Sequence, residues 1–153
     1  MIEGKYLSGN DDLSQVYELR EEVFQRELGF RKELEVDGYD KLSIHAIAYE
    51  NGMPAATGRI LFDGEIYRIS RVAVKKAFRG KGYGDFVVRM LINKALTSGA
   101  QEIYTSTLLD GKKMFETIGF EVSGEAYENG GLTYLPMWLK SENLHKCCGC
   151  GKN

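Results

Sequence analysis

Val72-Ala73-Val74-Lys75-Lys76-Ala77-Phe78-Arg79-Gly80-Lys81-Gly82-Tyr83-Gly84 is the stretch whose reading decides the fold. The pattern changes in its middle. Before it, YRISRVAVK (residues 67–75) reads as a strand. After it, Tyr83, Phe86, Val87, Met90, Leu91, Lys94 and Ala95 recur at three- to four-residue spacing, the mark of an amphipathic helix. Between the two, glycine occupies every second position from 80 to 84. Glycine reaches positive φ without steric cost and lets a ligand approach bare backbone N–H groups. A helix N-terminus adds unpaired N–H groups and the positive end of its dipole. Together they predict an anion site suited to a phosphate or pyrophosphate. Arg79 and Lys81 add mobile positive charge. A packed turn without a ligand is the plain alternative. Two other phosphate loops are excluded. The dinucleotide loop requires G-x-G-x-x-G in an early strand–helix unit, and the Walker A loop requires G-x-x-x-x-G-K-[ST].

The elements on either side follow from period and punctuation. Turn signals at Asn51-Gly52 and Asp63-Gly64 divide strands predicted over 43–49, 53–62 and 67–75, an antiparallel meander. Residues 2–7 read as a first strand. Asn10 and Asp11 are candidate N-caps for a helix carrying Leu13, Val16, Tyr17, Val23, Phe24 and Leu28 on one face, with Gly29 as its stop. Residues 31–41 read as a loop or a short helix. Downstream come a strand over 102–106, a helix over 108–118 ended by Gly119, and a hairpin of 120–126 with 132–139. The fold class is α+β, a mixed and mostly antiparallel sheet flanked by helices.

The chain has 153 residues, 43% hydrophobic and 27% charged, with a net charge of −2. That is ordinary for one soluble domain. The expected organisation is a single domain over 1–140 and a tail over 141–153. No apolar run approaches the ~18 residues of a membrane span, and residues 1–5 lack a secretory core. The near-neutral charge gives no electrostatic case for nucleic acid or an anionic membrane. All three cysteines, Cys147, Cys148 and Cys150, lie in the last seven residues beside His145. They read as a frayed terminus or as soft-metal or redox ligands. With no cysteine elsewhere, the domain is expected to be cytoplasmic.

The glycine loop resembles that of the Gcn5-related N-acetyltransferases (GNAT). In that family a hydrophobic strand, here Val72-Ala73-Val74, is followed by a loop [RQ]-x-x-G-x-[GA], which Arg79 to Gly84 meet at every fixed position. Lys113-Met114-Phe115-Glu116-Thr117-Ile118-Gly119-Phe120 is similar to the family's later helix ending in F-Y-x-x-x-G-F. The element order matches from residue 2 to 139. The runs Leu19-Arg20-Glu21-Glu22-Val23-Phe24 and Glu35-Val36-Asp37-Gly38-Tyr39-Asp40, followed by His45, resemble bacterial acetyltransferases of the ElaA/YjcF type. A similar run occurs in acyl-homoserine-lactone synthases, which are longer and lack this glycine loop.

The resemblance implies an enzyme that moves an acetyl group from acetyl-CoA to a primary amine on a small molecule or a protein lysine. It implies a coenzyme site made of Val72, Val74, Arg79, Gly80, Lys81, Gly82, Tyr83, Gly84 and Phe115. The amides of Val72 and Val74 would hold the pantetheine arm and the acetyl carbonyl. Homodimers are common in the fold. An acyl-homoserine-lactone-synthase-like enzyme and a catalytically silent coenzyme-binding sensor are the alternatives. Phe115 stands where relatives carry a tyrosine as general acid, so Tyr83, Tyr104, Tyr127 and Tyr134 are substitutes, or the thiolate leaves unassisted. Acetyl transfer also needs a base to deprotonate the amine. Glu65, near the start of the strand over 67–75, is one carboxylate in range. Glu35, Asp37 and His45 are the catalytic candidates, within an acidic run of Glu33, Glu35, Asp37 and Asp40 that would also attract a cationic amine. The plain readings are a solvated loop and a structural histidine.

Overall fold

The computed structural model describes residues 2–30 and 37–144. Eight strands form one sheet: β1 (Ile2–Ser8), β2 (Ile44–Glu50), β3 (Met53–Phe62), β4 (Tyr67–Val74), β5 (Glu102–Leu108), β6 (Glu121–Val122), β7 (Tyr127–Asn129) and β8 (Leu132–Lys140). Their order is β1-β2-β3-β4-β5-β8-β6, with β7 also on β8. Every pairing is antiparallel except β4 with β5. The crossover between those two is helix α2 (Tyr83–Thr97), as a parallel pair requires.

The period-2 pattern of β2 sorts its residues to two faces. Ile44, Ala46 and Ala48 join the main core, which α2 covers with Val87, Val88, Leu91, Ile92 and Ala95. Helix α3 (Lys112–Ile118) closes that face with Phe115 and Ile118. Ile47 points the other way, under Leu13, Val16 and Leu19 of α1 (Ser14–Arg20). α1 runs on through a widened π-type segment, Glu21–Glu27, whose Val23 and Phe24 cover Ala73 of β4. No helix among the described residues is long and apolar enough to cross a membrane.

Two local expectations need correction. Asn10 and Asp11 do not cap α1. Asp11 Oδ2 accepts the Ser8 amide at 2.7 Å and closes the preceding turn, and Asp12 Oδ1 accepts the Ser14 amide at 3.0 Å where the helix begins. Of the strand expected over 120–126 only β6 forms, and β7 begins just beyond it at Tyr127. The break lies opposite Pro136, whose carbonyl accepts the Ser123 amide at 3.0 Å but whose ring nitrogen has no hydrogen to return. Gly29 does stop the first helical run, at φ 76°.

Candidate functional site

β4 and β5 pair only from Tyr67↔Ile103 to Ile69↔Thr105, although β4 continues to Val74 and β5 to Leu108. Thr105 Oγ1 donates to the Ile69 carbonyl at 2.8 Å and closes the vertex. Beyond it the strands part. Lys75 N–H donates to the Ala55 carbonyl of β3 at 2.9 Å. Backbone groups alternate in sense along a strand, so the amides of Val74 and Val72 turn away from β3 and toward the gap. They face an opening in the sheet.

The glycine loop sits at the end of the same strand. Gly80 and Gly82 have φ of 80° and 86°, which a side chain would resist. Gly82 is the N-cap of α2 and no side chain caps it, so the first amides of the helix face outward. A Cβ at Gly82 would meet nothing within 4 Å, whereas one at Gly84 would lie 3.0 Å from Met114 Sδ and 3.3 Å from Val74 Cγ2. Gly82 thus keeps the space over the loop open, and Gly84 lets α2 and α3 pack.

Two carboxylates that sequence reasoning missed hold this loop. Arg79 donates Nη1 and Nη2 to Glu27 at 2.5 and 2.6 Å, and Nε and Nη2 to the Val74 carbonyl at 3.0 and 2.9 Å. The mobile charge expected of Arg79 is therefore already engaged, and the residue braces the loop against β4. The Arg79 hydrogen bonds hold Glu27 below the ordinary carboxylate range. On the other side, Tyr83 donates its hydroxyl to Glu50 Oε1 at 2.5 Å, and Lys81 Nζ lies 3.5 Å from the same oxygen. Glu50 pushes the Tyr83 hydroxyl up to about 12, which makes it a poor acid. Glu27 and Glu50 end their elements facing a loop distant in sequence, and no local pattern marks them.

The opposite face of the sheet carries a buried ionic network. Arg20 Nη1 and Nη2 reach Asp40 at 2.8 and 3.1 Å. Arg59 Nη1 bridges Asp40 and Asp37 at 2.9 Å each, its Nη2 reaches Asp37 at 2.6 Å, and its Nε donates to Ser70 Oγ at 2.9 Å. Arg71 Nη2 reaches Asp37 at 3.1 Å. His45 stands directly across from Arg59 and is fully buried. Its Nε2–H donates to the Asp40 carbonyl at 3.0 Å, and its Nδ1 has no partner among the described residues. Arg59 interrupts an apolar strand at an inward position. That was its only trace in the sequence.

These contacts bear on two of the catalytic candidates, Asp37 and His45. Burial raises the affinity of Asp37 for a proton. The hydrogen bonds from Arg59 and the Tyr39 amide, with the charges of Arg59 and Arg71, more than reverse that and hold it well below the carboxylate range. A carboxylate so held is a poor base and a poor attractor of cations. Burial also lowers His45, with the charges of Arg20 and Arg59 adding to the fall and the Asp40 carbonyl and charge opposing it. Glu35, with Glu33, lies outside the described residues, as do His145, Cys147, Cys148 and Cys150. Glu65 stays at its turn, its amide bound to Asp63 Oδ1 at 3.0 Å.

Phe115 is buried, edge-on to Phe120 with ring centroids 5.0 Å apart. Tyr104 donates to Glu102 and Tyr127 to Ser106. Tyr134 stacks on Tyr127 at 5.8 Å, and its hydroxyl makes no hydrogen bond among the described residues. Burial raises Tyr134, and the Arg71 charge opposes the rise.

The model of the acetyltransferase (GNAT) family matches residues 13–120. The uncharacterised N-acetyltransferase YjcF of Bacillus subtilis is 25% identical over 128 residues, covering 83% of this chain and 91% of its own. Escherichia coli ElaA has a TM-score of 0.80 at 25% identity, covering 92% of this chain and 100% of its own. A GNAT family acetyltransferase from Elizabethkingia anophelis, solved with acetyl-CoA bound, shares the fold with a TM-score of 0.70 at 18% identity, covering 91% and 97%. With its family model spanning both the first helix and the glycine loop, this chain, which resembles the ElaA/YjcF-type acetyltransferases, belongs to the Gcn5-related N-acetyltransferase (GNAT) family.

Proposed function

We propose that the protein transfers an acetyl group from acetyl-CoA to a primary amine. The observation that carries this reading is the gap between β4 and β5, lined by the Val72 and Val74 amides and ending at the uncapped N-terminus of α2. The residues present fit the coenzyme. The amides of the loop from Gly80 to Gly84 would take the pyrophosphate, with Lys81 beside them. Val74 would hold the pantetheine arm, and Val72 N–H would donate to the thioester carbonyl as charge builds there. Bound acetyl-CoA supplies an activated acyl group. The amine nitrogen attacks the carbonyl carbon, the carbon–sulfur bond breaks, and the sulfur leaves as a thiolate. The amine gives up one proton and the thiolate takes one.

Of the four candidate tyrosines, Tyr83, Tyr104 and Tyr127 donate their hydroxyls to neighbours while Tyr134 makes no hydrogen bond among the described residues, and it is the substitute acid for the position that Phe115 occupies. Glu35 is the carboxylate left for the amine's proton, since Asp37 and His45 are engaged. Isothermal calorimetry with acetyl-CoA, followed by thiol release with a panel of amines, tests the reading. Micromolar binding with amine-dependent thiol release is expected. Binding without release across the panel would leave a coenzyme-binding sensor instead, and no binding would remove the coenzyme assignment.

A further inference from the structure

Arg71 has φ 55°, the left-handed region that a branched or long side chain rarely adopts, in the middle of a strand. It marks a bulge. On β3, Ala55, Thr57 and Arg59 turn their backbone groups toward β4, and their counterparts are Lys75, Ala73 and Ser70. Arg71 and Val72 together stand opposite Gly58, so β4 has one residue more than β3 there. Without the extra residue, the amides of Val72 and Val74 would fall on the β3 side. The bulge thus decides which amides face the gap. It begins two residues after Ile69, the last residue of β4 that pairs with β5.

A strained residue persists where its surroundings over-determine it. Here the residue before the bulge and the first residue of the bulge are held by one network. Arg59 Nε fixes Ser70, the residue before it, at 2.9 Å. Asp37 takes the Arg71 guanidinium at 3.1 Å and Arg59 at 2.6 Å. Asp40 secures Arg59 from below at 2.9 Å and is itself forked to Arg20 of α1. The chain of contacts runs from the first helix through the acidic segment to the one strained position of the strand.

We propose that Asp37 and Arg59 are positioning residues, which hold the left-handed bulge at Arg71 and thereby aim the Val72 amide at the acyl carbonyl. The inference deepens the acyl-transfer reading and rests on it for the identity of the carbonyl. Asp37 then acts through backbone geometry, without touching a substrate.

Glycine, unlike alanine, adopts this conformation unaided, which supplies the test. Asp37→Asn should weaken the preference of the protein for acetyl-CoA over CoA, and lower kcat, each by about tenfold, the scale of the left-handed penalty. It should leave the affinity for CoA itself unchanged. Adding Arg71→Gly to Asp37→Asn should restore most of the loss, and adding Arg71→Ala should not. Equal rescue by both would mean that the Arg71 charge matters and its φ does not. Rescue by neither, or no loss in Asp37→Asn, would give Asp37 a direct role or none. Each of these results overturns the proposal. Should the wild type bind no coenzyme, the functional reading falls, and the backbone claim is still decided by the Val72 amide resonance of the ligand-free protein. That resonance should move in Asp37→Asn and return with Arg71→Gly. An unmoved resonance overturns the claim.

Discussion

The two arginine–carboxylate forks of the molecule have similar geometry and opposite settings. Arg20 and Asp40 meet at 2.8 and 3.1 Å with side chains 1% and 5% exposed. Arg79 and Glu27 meet at 2.5 and 2.6 Å with side chains 41% and 30% exposed. Distance alone would rank the second pair as the stronger. Burial reverses the order of consequence. A buried ion stripped of its partner keeps its desolvation penalty with nothing to offset it, whereas an exposed ion returns to water. The buried fork is therefore part of the fold. The exposed one is a brace on the glycine loop.

Breaking the buried fork should give the largest effect. Asp40→Ala leaves Arg20 and Arg59 facing each other without that carboxylate, and should cost about 3–5 kcal/mol in a urea unfolding curve. A loss below about 1 kcal/mol would place this pair in the same class as the exposed one. Next in size is Gly82→Val at the loop. Its Cβ projects into the open space where the pyrophosphate is proposed to lie, and its φ of 86° disfavours a side chain. Losing one charge-assisted N–H···O bond, roughly 1.5–3 kcal/mol, corresponds to about tenfold to a hundredfold in acetyl-CoA affinity by calorimetry. Unchanged affinity would remove the pyrophosphate from this loop.

A smaller effect should come from pH and separate the two regions again. Burial holds His45 below its ordinary value of 6.5, so the folded protein refuses a proton that the unfolded chain accepts. Its contribution to stability is fully present above that value and is lost as pH falls through it toward the folded value. The melting temperature should drop between about pH 7.5 and 5.5, and His45→Gln, which keeps an N–H donor for the Asp40 carbonyl, should flatten the drop. An equal slope in the variant would assign the titration elsewhere. The smallest effect is expected of Glu27→Gln, less than about 1 kcal/mol by thermal melt. A loss matching that of Asp40→Ala would erase the distinction between the forks.

The coenzyme side was largely legible because its signals are local. A strand, alternating glycines and a helix lie within about twenty consecutive residues, and their conformations follow from φ preferences and period alone. The interrupted hairpin near Pro136 was misread for a related reason. The break depends on a missing N–H in the partner strand, and nothing between 120 and 126 records it. The acidic run was legible as charge, but the pairing of its members was not. Asp37 and Asp40 read as a solvated patch or a base until Arg20, Arg59 and Arg71 converge on them.

The sequence by itself determined the order of elements, the meander, the glycine loop at the start of α2 and the likeness to the acetyltransferases. Each rests on neighbours along the chain, where backbone preference and side-chain period act. Only the tertiary structure decided which charges pair. Arg20, Asp40, Arg59 and Arg71 belong to four different segments, and Coulomb attraction acts through space with no periodicity along the chain to betray it. The same holds for the bulge. Whether a residue of β4 is supernumerary depends on what stands opposite in β3, and that becomes a fact only when the two strands are paired.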